Sequence, residues 1–259
     1  MLNKVIKTAE EAGKRILEFY ETEVEVINKE DDSPLTKADL AAHHIIIDAL
    51  KEIDPDVHVI SEESGIPEYS ERKNWDRFWL VDPLDGTKEF IKKNGEFTVN
   101  IALIENGKPV LGVVYVPVFD VVYYAEKSIG SFKKEGEEQA VKLETDSFEA
   151  PGKARIVVSR SHGDDTTAKK LQKIGIEVSE EVPSGSSIKF CLVAEGKVDL
   201  YPRLGPTMEW DTAAADAVYR YSTSADNEEK YSPLTYNKES FKNPYFLLGL
   251  NEYVDANKL

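Results

Sequence analysis

The sequence predicts a layered α/β fold, an α+β arrangement of helices on sheets, from three observations. Its 259 residues are 41% hydrophobic and 31% charged, enough apolar material for a core beneath an ordinary soluble surface. The first half groups helices with antiparallel strands, whereas the second alternates strand and helix. A charged stretch containing Gly and Pro, residues 133–153, marks the boundary, so 1–135 and 150–259 read as two α/β halves.

The elements follow in order. Leu2, Val5, Ile6, Ala9, Ile16, Leu17 and Tyr20 recur near helical spacing and predict an amphipathic first helix. Residues 23–28 alternate like a strand, and 29–34 form a polar loop. A second helix runs over 37–53 and stops before Asp54-Pro55. A short strand, 57–60, leads into Ser61-Glu62-Glu63-Ser64-Gly65, and another, 78–81, into Asp82-Pro83-Leu84-Asp85-Gly86-Thr87. Three β-rich runs come next, at 97–104, 110–116 and 121–125, the first two joined by a hairpin turn at Asn106-Gly107. Beyond the boundary a strand (155–159), a helix (165–174) and a Pro-Ser-Gly-Ser-Ser turn opening a helix to 195 are predicted. A strand (198–201) and an Ala-rich helix (209–221) complete the reading.

The net charge is −16, an excess of carboxylates that repels polyanions and argues against a nucleic acid polymer or an anionic membrane surface as partner. A small phosphate ester stays admissible where metal ions cancel charge locally. A single cysteine, Cys191, excludes an intramolecular disulfide and any multi-cysteine zinc site, and fits a reducing compartment. It lies in an apolar stretch and reads as a buried, inert thiol. No apolar run approaches a membrane span, and Lys4, Lys7, Glu10 and Glu11 interrupt what a signal peptide would require. The expectation is a cytoplasmic protein with no integral membrane segment, compatible with peripheral association at the inner membrane. Nothing in the sequence points to a protein partner.

Acidic residues gather where predicted elements begin and end: Glu62-Glu63, Asp82 with Asp85, and Asp211. Converging oxygen ligands without Cys and with few His suit Mg²⁺, or Ca²⁺ or Mn²⁺, rather than zinc or copper. Singly, each has a plain explanation. A Glu-Glu pair is usually a solvated loop, and Asp211 is a helix N-terminal acid. Asp82-Pro83-Leu84-Asp85-Gly86 resists that reading. It follows the apolar Trp79-Leu80-Val81, Pro83 stiffens it, and a spacing of three can bring both carboxylates to one side. The Leu84 carbonyl is a further hard donor, and Gly86 permits close backbone approach to a ligand. If Thr87 opens a helix, its free N–H groups offer an anion site beside the metals. Trp75 and Trp79 read as packing residues, and His43, His44 and Arg203 as structural.

The run Trp79-Leu80-Val81-Asp82-Pro83-Leu84-Asp85-Gly86-Thr87-Lys88-Glu89-Phe90 resembles the first signature of the inositol monophosphatase superfamily. Trp210-Asp211-Thr212-Ala213-Ala214 resembles its second, Ser61-Glu62-Glu63 its acidic loop, and Thr36-Lys37-Ala38-Asp39 its threonine–aspartate segment, all in the family's order. Within it, Asn94-Gly95-Glu96-Phe97-Thr98-Val99-Asn100, Ser159-Arg160-Ser161-His162 and Gly185-Ser186-Ser187-Ile188-Lys189 are similar to the CysQ-type 3′(2′),5′-bisphosphate nucleotidases. The similarity runs to about residue 218. After it, Tyr221-Ser222-Thr223-Ser224-Ala225-Asp226-Asn227 lacks the glycines of the family's usual turn.

The resemblance implies a sugar-phosphatase-like αβαβα sandwich. It makes Glu62, Asp82, Asp85 and Asp211, with the Leu84 carbonyl, ligands of two or three Mg²⁺ ions, Glu63 lying just outside them. Asp39 and Thr87 would orient and deprotonate the attacking water. Gly86 and Thr87 would hold the scissile phosphate, and Ser159, His162, Gly185 and Lys189 the nucleotide. The implied activity removes the 3′-phosphate of 3′-phosphoadenosine 5′-phosphate, with 3′-phosphoadenylyl sulfate a second substrate and lithium an inhibitor. An inositol or sugar-phosphate phosphatase with the same metal core is the enzyme alternative, and an inactive metal-binding scaffold the remote one. The presence of Asp39, Thr87 and the acidic ligands argues against the scaffold.

Overall fold

The computed structural model describes residues 1–21, 26–28, 34–160, 166–223 and 229–256. It opens with α1 (Leu2–Tyr20), a small hairpin of β1 (Val26–Asn28) and β2 (Pro34–Thr36), and α2 (Lys37–Ile53). Thr36 starts α2 with a capping box: its hydroxyl accepts the Ala38 N–H at 3.2 Å, and the Asp39 carboxylate accepts the Thr36 N–H at 2.8 Å. Then come β3 (His58–Ser61), α3 (Tyr69–Arg72), β4 (Arg77–Asp85), α4 (Thr87–Ile91), β5 (Thr98–Glu105) and β6 (Lys108–Val116). A 3₁₀ turn (Pro117–Phe119) leads to β7 (Val121–Glu126), β8 (Gly130–Glu135) and β9 (Val141–Leu143). These seven strands form one sheet in the order β3-β4-β5-β6-β7-β8-β9, parallel at β3–β4 and antiparallel elsewhere. Asn106 and Gly107 both take positive φ, 50° and 74°, as a tight hairpin needs.

The remainder is β10 (Gly152–Ser159), α5 (Thr166–Gln172), β11 (Ile176–Ser184), α6 (Ile188–Ala194), β12 (Tyr201–Arg203), α7 (Glu209–Arg220) and β13 (Phe246–Leu248). β10 and β11 pair in parallel, α5 lying between them in sequence, and β12 pairs antiparallel with β13. An Ile156–Leu200 bridge ties β10 to the residue before β12.

Side-chain alternation along β4 shows how the layers stack. Trp79 and Val81 enter one core with Val5, Ala9, Ile16, Ala42, Ile46 and Leu50 of α1 and α2. Phe78 and Leu80 face the other way, into a core with Phe190, Ala213, Ala217, Tyr219 and Phe246. A third cluster joins α5 to the small sheets through Leu171, Ile156, Ile176 and Leu247. The order is therefore helix, sheet, helix, sheet, helix, the layered α/β class that the sequence predicts. Packing of α7 on β6 is close: a Cβ on Gly112 would stand 2.2 Å from the Ala214 carbonyl oxygen.

Several local expectations are corrected. Residues 133–153, read as a boundary, also carry the end of β8, all of β9 and the start of β10. β11 was not expected, because Glu177, Glu180 and Glu181 make its sequence look like loop. It is paired on one side only, within a two-stranded sheet, so its charges reach solvent. β13 also escaped the sequence reading, and the strand expected at 198–201 is Tyr201–Arg203. Of the Gly-poor segment, residues 221–223 follow α7, and residues 224–228 lie outside the described residues.

Candidate active site

The site grows from the end of β4, which continues through Asp85 instead of stopping at Val81. In a regular strand, side chains three apart face opposite ways. Here Asp82 pairs with Asn100 and Asp85 with Thr98, so one extra residue is accommodated between them. Residues 98 and 100 share a face, and the bulge brings Asp82 and Asp85 to one face as well. Pro83 sits in the bulge, where it owes the ladder no N–H. Gly86 then takes φ +89°, a left-handed turn that releases the chain into α4.

Asp39, in the first turn of α2, meets this turn from the other side. Its Oδ2 accepts from the Thr36 N–H and from the Thr36 hydroxyl at 2.5 Å, and its Oδ1 stands 3.3 Å from Thr87 Oγ1. Thr87 Oγ1 also lies 3.4 Å from the Leu84 carbonyl oxygen, so its one proton has two acceptors at hand. Asp39 is buried, and burial pushes its carboxyl up to about 6 although both Thr36 bonds oppose this.

Asp82 and Asp211 are driven well above the usual carboxylate range. For Asp82 the cause is burial, then the charges of Glu62, Asp85 and Asp211. For Asp211 it is burial and the Asp85 charge, against a 2.9 Å bond from the Met208 N–H that seats it in the first turn of α7. Asp85 turns Oδ2 to Ser186 Oγ at 2.6 Å, Ser187 Oγ at 2.8 Å and Asn100 Nδ2 at 3.5 Å. Glu62 lines the same pocket. Four carboxylates crowded together and the Leu84 carbonyl form an all-oxygen set whose chemistry fits a hard divalent cation. Among the described residues no three His, Cys, Asp or Glu side chains already converge into a metal cage.

Glu62, Asp85, Gly86, Thr87 and Asp211 line a cavity of about 760 Å³. Ser159, Lys170 and the 201–206 segment form its other walls. A recess of about 150 Å³ adjoins it, lined by Gly185, Ser186, Lys189 and Thr207. Lys189 is 6% exposed, donates to the Ser186 carbonyl at 2.5 Å and lies 5.7 Å from the Tyr201 ring centroid. Burial lowers its ammonium to about 8. Gly185 directs its N–H to Glu96 Oε2 at 2.8 Å, not into the cavity. His162 lies outside the described residues.

Ser186, Ser187, Asn100 and Arg203 were missed as site residues. The N-cap of α6 is Ser187, and Ser186, just before it, holds Asp85. Arg203 was expected to be structural, yet it lines both cavities while donating to the Pro206 carbonyl. A Ser-Ser pair after glycine was the one local signal. Cys191 is buried, its thiol pushed well up by burial, as expected of an inert group.

Comparison with known proteins identifies the chain's relatives. Over 249 residues the chain is 48% identical to the 3′(2′),5′-bisphosphate nucleotidase CysQ of Salmonella typhimurium, covering 95% of this chain and 98% of that protein. It is 40% identical to the Haemophilus influenzae CysQ over 258 residues, 98% and 94% of the two chains. The crystal structure of CysQ from Bacteroides thetaiotaomicron superimposes with a TM-score of 0.78 at 41% identity, covering 97% of each chain. The model of the inositol monophosphatase family matches residues 1–220, from α1 to the last residue of α7, and this chain belongs to that family.

Proposed function

We propose that this chain is a Mg²⁺-dependent 3′(2′),5′-bisphosphate nucleotidase that hydrolyses 3′-phosphoadenosine 5′-phosphate to AMP and phosphate, and that it also accepts 3′-phosphoadenylyl sulfate. The observation that carries the reading is the meeting of Asp39 and Thr87 beside the bulge-aligned Asp82 and Asp85, with Thr87 and Asp85 lining a nucleotide-sized cavity. Near-full-length relatives bearing the nucleotidase name support the substrate class. Residues 1–135 carry most of the candidate metal ligands, and 150–259 carry Asp211 and the nucleotide contacts. Two or three Mg²⁺ ions would be held by Glu62, Asp82, Asp85, Asp211 and the Leu84 carbonyl. When bound, Mg²⁺ supplies Lewis-acid polarisation of the phosphate and lowers the pKa of the attacking water.

The side chains do the rest. Thr87 Oγ1, too weak an acid to serve alone, accepts a proton from the water while its own proton passes to Asp39 Oδ1. Thr36 holds the far oxygen of Asp39, so the acceptor keeps its orientation. The water oxygen bonds to phosphorus as the bond from phosphorus to the ribose 3′-oxygen breaks; that oxygen leaves with the electron pair and takes up a proton from solvent to become the 3′-hydroxyl, while the proton on Asp39 is released, with no phospho-enzyme. Gly86 and Thr87 face the scissile phosphate, and Ser159, His162, Gly185 and Lys189 orient the nucleotide. The proposed ligands are small bisphosphate nucleotides, and the proposed location is the cytoplasm. No helix among the described residues is long and apolar enough to cross a membrane.

The test is phosphate release from 3′-phosphoadenosine 5′-phosphate and from inositol 1-phosphate, with and without Mg²⁺. A higher kcat/KM on the nucleotide, lost with chelator, is expected. Preference for inositol 1-phosphate would overturn the substrate assignment, and full turnover after exhaustive chelation the metal assignment.

A further inference from the structure

We propose that Glu96 and Arg160 form a clamp that sets the 185–187 turn and thereby the affinity of the site for the nucleotide. This rests on the nucleotidase reading above. Arg160, directly after β10, grips Glu96 with two parallel bonds, Nε to Oε2 at 2.8 Å and Nη2 to Oε1 at 2.5 Å. Its Nη2 also donates to the Pro183 carbonyl at 3.2 Å, and its backbone N–H to the Ser184 carbonyl at 3.3 Å. The same Glu96 Oε2 accepts the Gly185 N–H at 2.8 Å. One carboxylate thus ties together the loop after α4, the end of β10 and the turn between β11 and α6.

What the clamp holds is under strain. Ser186 has φ +51°, a left-handed conformation that a non-glycine residue keeps only when its surroundings enforce it. Its hydroxyl reaches Asp85 Oδ2 and Thr98 Oγ1, both at 2.6 Å, and its carbonyl accepts from Lys189. On the preceding side the restraint is Glu96. Gly185 stands so close that a Cβ would fall 2.8 Å from the Glu96 carbonyl oxygen. Neither Glu96 nor Arg160 lines the cavities that Ser159, Gly185, Ser186 and Lys189 line, so they act as positioning residues, through the turn. The Arg160 side chain is 44% exposed and that of Glu96 18%, so the pair contributes little to global stability. Its effect is expected in geometry.

The test compares Arg160→Met, Glu96→Ala, Glu96→Gln and the double variant Glu96→Ala/Arg160→Met with the unmodified protein. Substrates are 3′-phosphoadenosine 5′-phosphate, inositol 1-phosphate and p-nitrophenyl phosphate, a monoester without a nucleoside. Arg160→Met should raise KM for the bisphosphate about five- to tenfold with kcat within about twofold, leaving p-nitrophenyl phosphate unaffected. Glu96→Ala should do at least as much, and Glu96→Gln, which keeps an acceptor for the Gly185 N–H but sets an NH₂ against an Arg160 donor, should lose about as much as Arg160→Met and no more. The double variant should match Glu96→Ala, because the two residues act as a unit. Unmodified protein that prefers inositol 1-phosphate overturns the nucleotidase reading and the clamp's substrate with it. A preserved nucleotide preference, with KM changed equally on all substrates or on none, overturns the clamp alone.

Discussion

Replacing Asp39 by Asn should make the protein more stable and much less active. The charged carboxylate is 2% exposed, and its pKa rises from 3.8 to about 6 through burial, so ionising it in the fold has a cost. At 1.36 kcal/mol per tenfold change, that cost is about 3 kcal/mol above pH 6. The sign follows from proton counts. Between pH 3.8 and about 6 the folded state holds a proton that the unfolded chain has released, so stability falls as pH rises through this window. The Asp39→Asn amide has no proton to lose. Its oxygen still accepts from Thr36, keeping the capping box, and its NH₂ faces Thr87, reversing that hydrogen bond and removing the proton acceptor. Urea denaturation without added metal, from pH 4 to pH 8, should show the variant's advantage growing from near zero to at most ~3 kcal/mol. Phosphate release should fall by ~10²–10⁴ in kcat with little change in KM. A variant advantage independent of pH, or a stability loss at pH 8, would refute the claim that this buried charge opposes folding.

Asp82→Asn should abolish phosphate release yet raise the metal-free Tm, since it removes one of several buried, repelling carboxylates; Mg²⁺ should raise the Tm of the unmodified protein but not of the variant, as melts with and without MgCl₂ will show. Thr87→Ala should lose ~10²-fold or more in kcat, and combining it with Asp39→Asn should add little; strictly multiplicative losses would deny a shared proton path. Lys189→Ala should raise KM for the bisphosphate by an amount corresponding to about 1.5–3 kcal/mol, and leave p-nitrophenyl phosphate nearly unaffected in steady-state kinetics. Because burial lowers Lys189 from 10.5 to about 8, the unfolded chain binds the extra proton between those values, so stability should rise with pH across that window by up to ~3 kcal/mol, a rise that Lys189→Met should lack in denaturation curves.

The sequence by itself determined the features that depend on near neighbours in the chain. α2 occupies the residues predicted for it: Asp54-Pro55 marks its end in the sequence, and the Thr36–Asp39 capping box that starts it is likewise a contact between near neighbours. The hairpin at Asn106-Gly107, the strands around 78–81 and 97–125, and the layered class follow from turn chemistry and alternation. The acidic set, with its all-oxygen chemistry, was also legible, as was the pairing of Asp39 with Thr87, the latter through family resemblance. Only the tertiary structure decided matters that arise between distant segments. β11 looks like a loop until its single neighbour, β10, leaves its glutamates in water. Gly112 gains its meaning from Ala214 on α7, and Ser186 gives its hydroxyl to Asp85, 101 residues away. Gly185 lies 89 residues from the Glu96 carboxylate that holds its N–H. Local propensity carries no record of such contacts, because the geometry that satisfies a buried polar group is set by whichever segment the folded chain places beside it.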